Sequence, residues 1–274
     1  MTSDLGSLEK RVDDAELVSM RQQFQKKLFP YIDGSEIISH SLSKPFGYPG
    51  DFQLCCKLFE NRCNSKGLGY HLDRYALETP ASRALRTRIE WVCADLLAYI
   101  QGRPSLALLD LGIGSAPVER RLAEMHPELI LQLTAIDLEP AALEFVSQHL
   151  ESELLTLQPF QLNLKAEESL KKLERPARDT EICIAVGILE ALTDEEAHRL
   201  LSVLMRAMEP GSIIYTENYL PDHLNRKFME WFMDLYLGYR SLDQLRDIAE
   251  HAGARSVEMQ KDSTGSIGMM KIAL

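Results

Sequence analysis

From Leu106 onward, short apolar runs alternate with stretches of helical character, and that alternation leaves few folds open. "LALLDLG" (Leu106–Gly112) is an apolar run closed by an acid and a glycine, the character of a strand buried on both faces. "LQLTAIDL" (Leu131–Leu138), "PFQLNL" (Pro159–Leu164), "EICIAVG" (Glu181–Gly187) and "SIIYTEN" (Ser212–Asn218) repeat it, separated by segments rich in Leu, Ala, Glu and Arg. Strands and helices in turn predict a parallel α/β sheet with crossover connections. The end of the chain differs. "RSVEMQ" and "SIGMMKIAL" flank "KDSTG", which reads as an antiparallel hairpin with a Gly-bearing turn.

The first hundred residues read as helical instead. Leu8, Val12, Ala15, Met20, Phe24 and Leu28 recur at helical spacing, and Pro30 and Gly34 break the pattern. A loop rich in Gly, Pro and aromatics follows, "KPFGYPGDF" from Lys44 to Phe52. Thr79 as N-cap and Pro80 at the first helical position then open a strong helix. Its apolar stripe is Leu85, Ile89, Val92, Leu96 and Ile100, and Gly102 and Pro104 stop it. Residues 1–100 therefore form an N-terminal helical cap, and residues 101–274 the α/β domain.

Composition narrows the function classes. Thirty basic against 41 acidic side chains give a formal charge of −11, with no basic block, so nucleic acid is not an expected partner. No apolar run reaches the ~20 residues that span a bilayer, so membrane insertion is not expected either. The polar, acidic N-terminal stretch does not read as a signal peptide. The five cysteines (Cys55, Cys56, Cys63, Cys93, Cys183) are odd in number and without paired spacing. They predict a reducing, cytoplasmic setting and neither a disulfide framework nor a metal site.

The first strand runs into Asp110-Leu111-Gly112-Ile113-Gly114-Ser115-Ala116. Glycines at a strand-to-helix turn let backbone approach a ligand, and the helix N-terminus behind them offers free N–H groups. The second strand ends at Asp137, 23 residues beyond Gly114, where an acid accepts hydrogen bonds from ribose hydroxyls. Leu138 beside it would cover a face of an adenine ring. Ala116 and Pro117 leave the Gly-x-Gly-x-x-Gly pattern of a pyrophosphate loop incomplete. Asp110, an acid directly beneath the turn, suits a cationic or zwitterionic ligand end better than a pyrophosphate.

On these residues, "LALLDLGIGSAP", "AIDLEP" and "ICIAVGILEALTDEEAHRLLSVLMRAMEPGSIIYTENY", residues 106–274 resemble a class I methyltransferase dependent on S-adenosyl-L-methionine (SAM). The resemblance implies a Rossmann-like seven-stranded mixed sheet whose last strand is antiparallel. It also implies that Gly112 and Gly114 approach the methionyl part of SAM, that Asp137 holds the ribose, that Asn163 with Leu164 meets the adenine, and that Val186 and Gly187 line the cleft. "GYPGDF" (Gly47–Phe52), "TPASRALRTR" (Thr79–Arg88), "GILEAL" (Gly187–Leu192) and "MEWFMDLYLGYRS" (Met229–Ser241) are similar to a narrower group, the bacterial 3-hydroxypalmitic acid methyl ester biosynthesis-like methyltransferases. Where that group carries an acid–aromatic pair after the fourth strand, this chain has Glu190-Ala191, and its fifth strand ends Glu217-Asn218-Tyr219.

The expected activity is methyl transfer to a small-molecule acceptor, at oxygen, with an acyl or hydroxyacyl carboxylate implied by the resemblance alone. A tailoring reaction at hydroxyl, amine or carbon is the nearest alternative; a non-catalytic SAM-binding protein and a nicotinamide-dependent oxidoreductase lie outside the class. Arg88, on the helix that leads into the first strand, is the candidate for the SAM carboxylate, against a surface arginine paired along its helix. Tyr48 and Asp51 are candidates for a lid over the cofactor, against a structural turn. His71, Glu190 and Tyr219 are the catalytic candidates. His71 stands for proton removal against a merely structural histidine, and Tyr219 for donation to a substrate oxygen against packing. Leu224–Tyr239 reads as a helix, its Glu230 and Asp234 a solvated face or a cation site, and Arg240 pairs with a substrate carboxylate or with Asp243.

Overall fold

The structure, a computed structural model, describes residues 5, 9, 11–150 and 152–274. Leu8 lies outside them. Helices α1 (Asp14–Ile32), α2 (Glu36–Ser43), α3 (Phe52–Glu60), α4 (Gly67–Glu78) and α5 (Pro80–Ile100) come first. Then β1 (Ser105–Leu111), α6 (Pro117–Met125), β2 (Ile130–Asp137), α7 (Pro140–His149), β3 (Leu155–Gln161), α8 (Glu167–Arg178) and β4 (Ile182–Ala185) alternate. A single 3-10 turn (Leu189–Ala191), α9 (Asp194–Ala207), β5 (Ile213–Tyr219), α10 (Arg226–Phe232), α11 (Leu242–His251), β6 (Ser256–Lys261) and β7 (Ile267–Ala273) complete the order.

The strands form one seven-stranded sheet in the order β3-β2-β1-β4-β5-β7-β6. Strands β1 to β5 are mutually parallel, and β7 runs antiparallel to β5 and to β6. This is the Rossmann-like α/β fold with an antiparallel final strand. The hairpin turn is built on Asp262, whose carboxylate accepts from the N–H groups of Thr264, Ser266 and Ile267 at 2.7–2.8 Å. The order reverses between β1 and β4, and a ligand crevice opens beyond the carboxyl ends of strands at such a switch point.

Each face of the sheet carries its own core. Ile89, Val92, Leu96 and Ile100 of α5 pack with α6 and α7 on one side, and Leu170, Leu173, Leu200 and Leu204 of α8 and α9 on the other. The first half of α5 belongs to a third core. There Ala81, Ala84 and Leu85 meet Ile37, Leu54 and Leu77 of the cap together with Phe228, Met229 and Met233 from far along the chain. Thr79 and Pro80 open α5 as the capping pattern predicts, with the Thr79 hydroxyl accepting from the Ser82 N–H.

Three boundaries depart from the sequence reading. Helix α1 continues through Pro30 to Ile32, because a proline in the final turn forfeits one hydrogen bond and the helix ends anyway. Strand β3 begins at Leu155 rather than Pro159. As the edge strand it is half exposed, so its polar alternation hides it, and Pro159 is tolerated there. Helix α10 covers only Arg226–Phe232, because Asp234 takes a left-handed conformation (φ 52°) and turns the chain away.

The cap is fixed by one buried carboxylate. Asp73 of α4 accepts from the hydroxyls of Ser35 and Ser65, each at 2.5 Å, and from the N–H groups of Glu36 and Ile37 at 3.2 Å. It thereby satisfies the N-terminus of α2, where Gly69 of α4 lies so close to Gly34 that a Cβ would meet its carbonyl oxygen at 1.9 Å. Hydrogen bonds to a charged group contribute about 1.5–3 kcal/mol each. Asp73→Ala is therefore expected to lower stability by about 3 kcal/mol or more, read as a fall in the urea midpoint at unchanged slope.

Candidate functional site

A cavity of about 600 Å³ opens at the switch point, between the carboxyl ends of β1, β2 and β4 and the cap. Its floor is the turn after β1. Gly112 and Gly114 have φ of 72° and 54°, and Ala116 follows at 51°. The Gly112 and Ile113 N–H groups both donate to the Ile136 carbonyl, at 2.7 and 3.1 Å, which locks the turn against β2. A Cβ on Gly112 would stand 2.3 Å from Ile188 Cδ1, so the glycine lets Ile188 pack onto the turn as well as turning the chain.

Asp137 stands at the rim. Its Oδ2 accepts from the Gly114 N–H at 3.0 Å and its Oδ1 from the Glu139 N–H at 2.9 Å. Each oxygen retains a lone pair for a further donor. Leu138 beside it is exposed and lines the same cavity, as do Asn163, Leu164, Val186 and Gly187. Tyr48 closes the cavity from the cap loop. Burial and the neighbouring Asp137 carboxylate push its phenol above the usual range. Leu235, close against Gly50 of the same loop, and Leu237 form a roof, anchored where Ser41 Oγ donates to the Met233 carbonyl at 2.6 Å.

Beneath the turn, Asp110 faces Glu119 of α6, and both are fully enclosed. Burial and the proximity of the two acids, with Asp137 adding to it, hold the Asp110 carboxyl well above its ordinary value; burial also raises Glu119. The pair therefore retains a proton at pH values where an exposed acid has lost it.

The far end of the cavity holds a second cluster. Arg88 of α5 is buried with its guanidinium against Glu217 of β5, whose Oε1 also accepts from the Gly187 N–H at 2.9 Å. Glu190, in the 3-10 turn, approaches the same guanidinium at 4.0 Å, and its Oε2 is buried with no partner among the described residues. Burial and the Glu217 charge, opposed by Arg88, push the Glu190 carboxyl up to about 8. Arg240 fixes this turn. It donates to the carbonyls of Leu189 and Leu192 at 2.6 Å, to Asn218 Oδ1 at 2.8 Å and to Asp194 at 2.7 Å.

The cavity thus brings together Tyr48, Arg88, Asp110, Gly112, Gly114, Asp137, Leu138, Asn163, Leu164, Val186, Gly187 and Glu190. Three expected residues are placed elsewhere. Asp51 caps α3, accepting from the N–H groups of Gln53 and Leu54, and pairs with His40 at 2.8 Å, so it shapes the lid loop from behind. His71 is exposed on α4 with its ring against Tyr70, because its helix face points away from the sheet. Tyr219 is buried and its hydroxyl donates to the Ala81 carbonyl at 3.1 Å, which joins β5 to α5. Arg88 lines the cavity with one guanidinium nitrogen paired with Glu217 and its Nε without a partner among the described residues. Glu230 is buried among Arg21, Arg226 and Lys227, and Asp234 pairs with Lys44, so neither is a cation site or a solvated face. Arg240 pairs with Asp194, not Asp243.

Sequence reasoning missed Cys55, Phe59 and Ile188 as lining residues, since apolar residues read as core. The Arg88–Glu217 pair did leave a trace: an acid inside an apolar strand needs a buried partner.

No family model matches the chain, and no curated protein matches it by sequence. Solved structures do resemble it. A possible exported protein from Bordetella parapertussis is 17% identical with a TM-score of 0.68, over 94% of this chain and 95% of that one. Human N-acetylserotonin methyltransferase in complex with SAM is 15% identical with a TM-score of 0.48, over 81% of this chain and 65% of that one. Magnesium protoporphyrin IX methyltransferase from Synechocystis PCC 6803, with bound S-adenosylhomocysteine (SAH), is 14% identical with a TM-score of 0.49, over 70% and 86%. The first likeness is one of fold over nearly the whole chain, cap included; the other two are too loose to carry function. No helix among the described residues is long and apolar enough to cross a membrane.

The buried acid pair has a consequence for stability. Because both carboxyls titrate above the usual range, the native state holds more protons than the unfolded chain once the pH exceeds ordinary carboxylate values. Stability from this pair is complete at low pH and is lost as pH rises through the raised values. Glu119→Gln is expected to raise the melting temperature at neutral and alkaline pH and to flatten its decline with pH, measured by thermal unfolding across a pH series.

Proposed function

We propose that this chain is a SAM-dependent methyltransferase that transfers a methyl group to oxygen of a small-molecule acceptor. One observation carries the reading: a left-handed glycine turn at the switch point, flanked by Asp110 beneath and Asp137 at the rim. An acceptor at the rim suits a ribose, and an acid beneath the turn in place of a cation suits an amino-acid end better than a pyrophosphate.

In this reading Asp137 holds the ribose hydroxyls with its free lone pairs, and Leu138 with Asn163 and Leu164 encloses the adenine. Asp110 faces the amino group of the amino-acid end. SAM supplies an activated methyl group on sulfur, so the protein's own tasks are alignment and exclusion of water. Tyr48 and the Leu235–Leu237 roof close over the cavity for that purpose, and the helical cap of residues 1–100 carries the lid loop.

Thermal unfolding with SAH, and with NADH as control, tests this. Ligand at a hundred times its dissociation constant adds ~2.7 kcal/mol, and a domain of this size gains roughly 2–4 °C per kcal/mol. SAH is expected to raise the midpoint by several degrees and NADH to leave it unchanged. Asp137→Ala is expected to abolish most of the SAH shift. A shift with NADH alone would overturn the assignment.

A further inference from the structure

The cluster at the far end of the cavity bears on the identity of the acceptor, an inference that rests on SAM being the cofactor. A methyl acceptor must present an electron pair. A carboxylate acceptor would arrive with its own negative charge and need a free cation to hold it. Arg88 is the cation at this end of the cavity, and it is already in contact with Glu217 and 4.0 Å from Glu190. Two carboxyl groups against one guanidinium leave this end with no net positive charge. The other cationic side chain lining the cavity, Lys165, sits beside Asn163 beyond β3.

The remaining walls are apolar, formed by Cys55, Phe59, Ile188, Leu192, Leu235 and Leu237. Size is a second constraint. About 600 Å³ in all falls within the ~300–1,000 Å³ usual for one bound small molecule. Cofactor and a long acyl chain together would exceed it. Of the residues lining the cavity, Arg88 Nε, Ser115 Oγ and Glu190 Oε2 are buried without a partner among the described residues, and the Glu190 carboxylate is the base among them.

We propose that the acceptor is a small, uncharged phenol- or enol-type hydroxyl compound, and that Glu190 Oε2 takes its proton as the methyl group is transferred. The acceptor's O–H bond breaks and its proton goes to the Glu190 carboxylate. The oxygen keeps the electron pair, which forms the new O–CH3 bond. The pair of the broken S–CH3 bond stays on sulfur, so a cation and a carboxylate are consumed together and no co-reactant is needed.

Acidity decides between kinds of hydroxyl. Proton transfer in the transition state is efficient when base and acid are matched. A carboxyl raised to about 8 lies within reach of a phenol at about 10, and far from an aliphatic alcohol. The groups that set it come from every neighbouring element: Arg88 and Cys55 from the cap, Glu217 and Tyr219 from β5, and Arg240 behind the turn. Glu217 is the positioning residue, because its charge raises Glu190 while occupying Arg88.

The test uses the full chain and four readouts. The SAH thermal shift is measured first, in the wild type and in Glu190→Gln. Labelled SAM is then offered with simple phenols such as 4-methylphenol and catechol, with a 3-hydroxy fatty acid and with primary amines. Label is expected in the phenols, with turnover rising to a plateau near pH 8, and Glu190→Gln is expected to lower kcat/KM about a hundredfold or more while keeping its SAH shift. The fourth readout is independent of turnover. Infrared difference spectra, wild type minus Glu190→Gln, are expected to show a protonated carboxyl band that disappears near pH 8, and at lower pH in Glu217→Gln. Label in the fatty acid carboxylate or the amines, no label in any phenol, or a Glu190→Gln variant within threefold of wild type would overturn the proposal while the SAH shift upholds the cofactor reading. Absence of any SAH shift in the wild type would overturn both.

Discussion

The contact on which this molecule turns is the burial of Arg88 against Glu217. It joins α5 to β5, and through the Gly187 N–H it reaches the end of β4. One ion pair therefore registers the helical cap, the centre of the sheet and the floor of the cavity. Buried charges are expensive to desolvate, and breaking such a pair from one side leaves a charge uncompensated. The site tolerates little movement here. Gly187 shows how tightly the cluster is built, since a Cβ there would sit 3.3 Å from the Arg88 guanidinium.

Around that contact, negative charge is distributed by role. Asp137 is satisfied by backbone N–H groups and stands at the rim, with capacity left for hydroxyl donors. Asp110 is enclosed beneath the turn, where burial and Glu119 hold its carboxyl well above the ordinary range. Glu190 shares a guanidinium already taken. Their positions differ in enclosure and in which neighbours they meet, and those two variables set how each holds a proton. Arg240 shows the converse: its donors are engaged by carbonyls and side-chain oxygens, so it shapes the 3-10 turn and has little to offer a ligand.

The cap is held by a comparable logic of satisfied polar groups. Asp73 completes the N-terminus of α2, and Asp51 caps α3 while meeting His40. Phe24 of α1 packs edge-on against Trp231 and Phe232. The cap core is thus shared between the first hundred residues and α10, and the lid over the cavity is made from both ends of the chain. Phe52 adds a tie from the lid loop to Phe145 of α7, with ring centroids 5.9 Å apart.

The α/β order, the glycine turn, the acid at the end of β2 and the terminal hairpin are all legible in the amino-acid sequence. Each is written in local signals: apolar runs of strand length, glycines where φ is positive, an acid at a strand end. The limits of the edge strand β3 and the short helix α10 escape such signals, because exposure and a single left-handed residue override periodicity. Which polar groups meet is settled only when the chain is folded. Folding sets Arg88 against Glu217, turns Tyr219 and Asp51 to structural work, leaves His71 in solvent and leaves Glu190 Oε2 without a partner among the described residues. The physical reason is range. Burial and charge pairing join residues far apart in the chain, Arg88 and Glu217 by 129 positions, and no short window of sequence contains both partners.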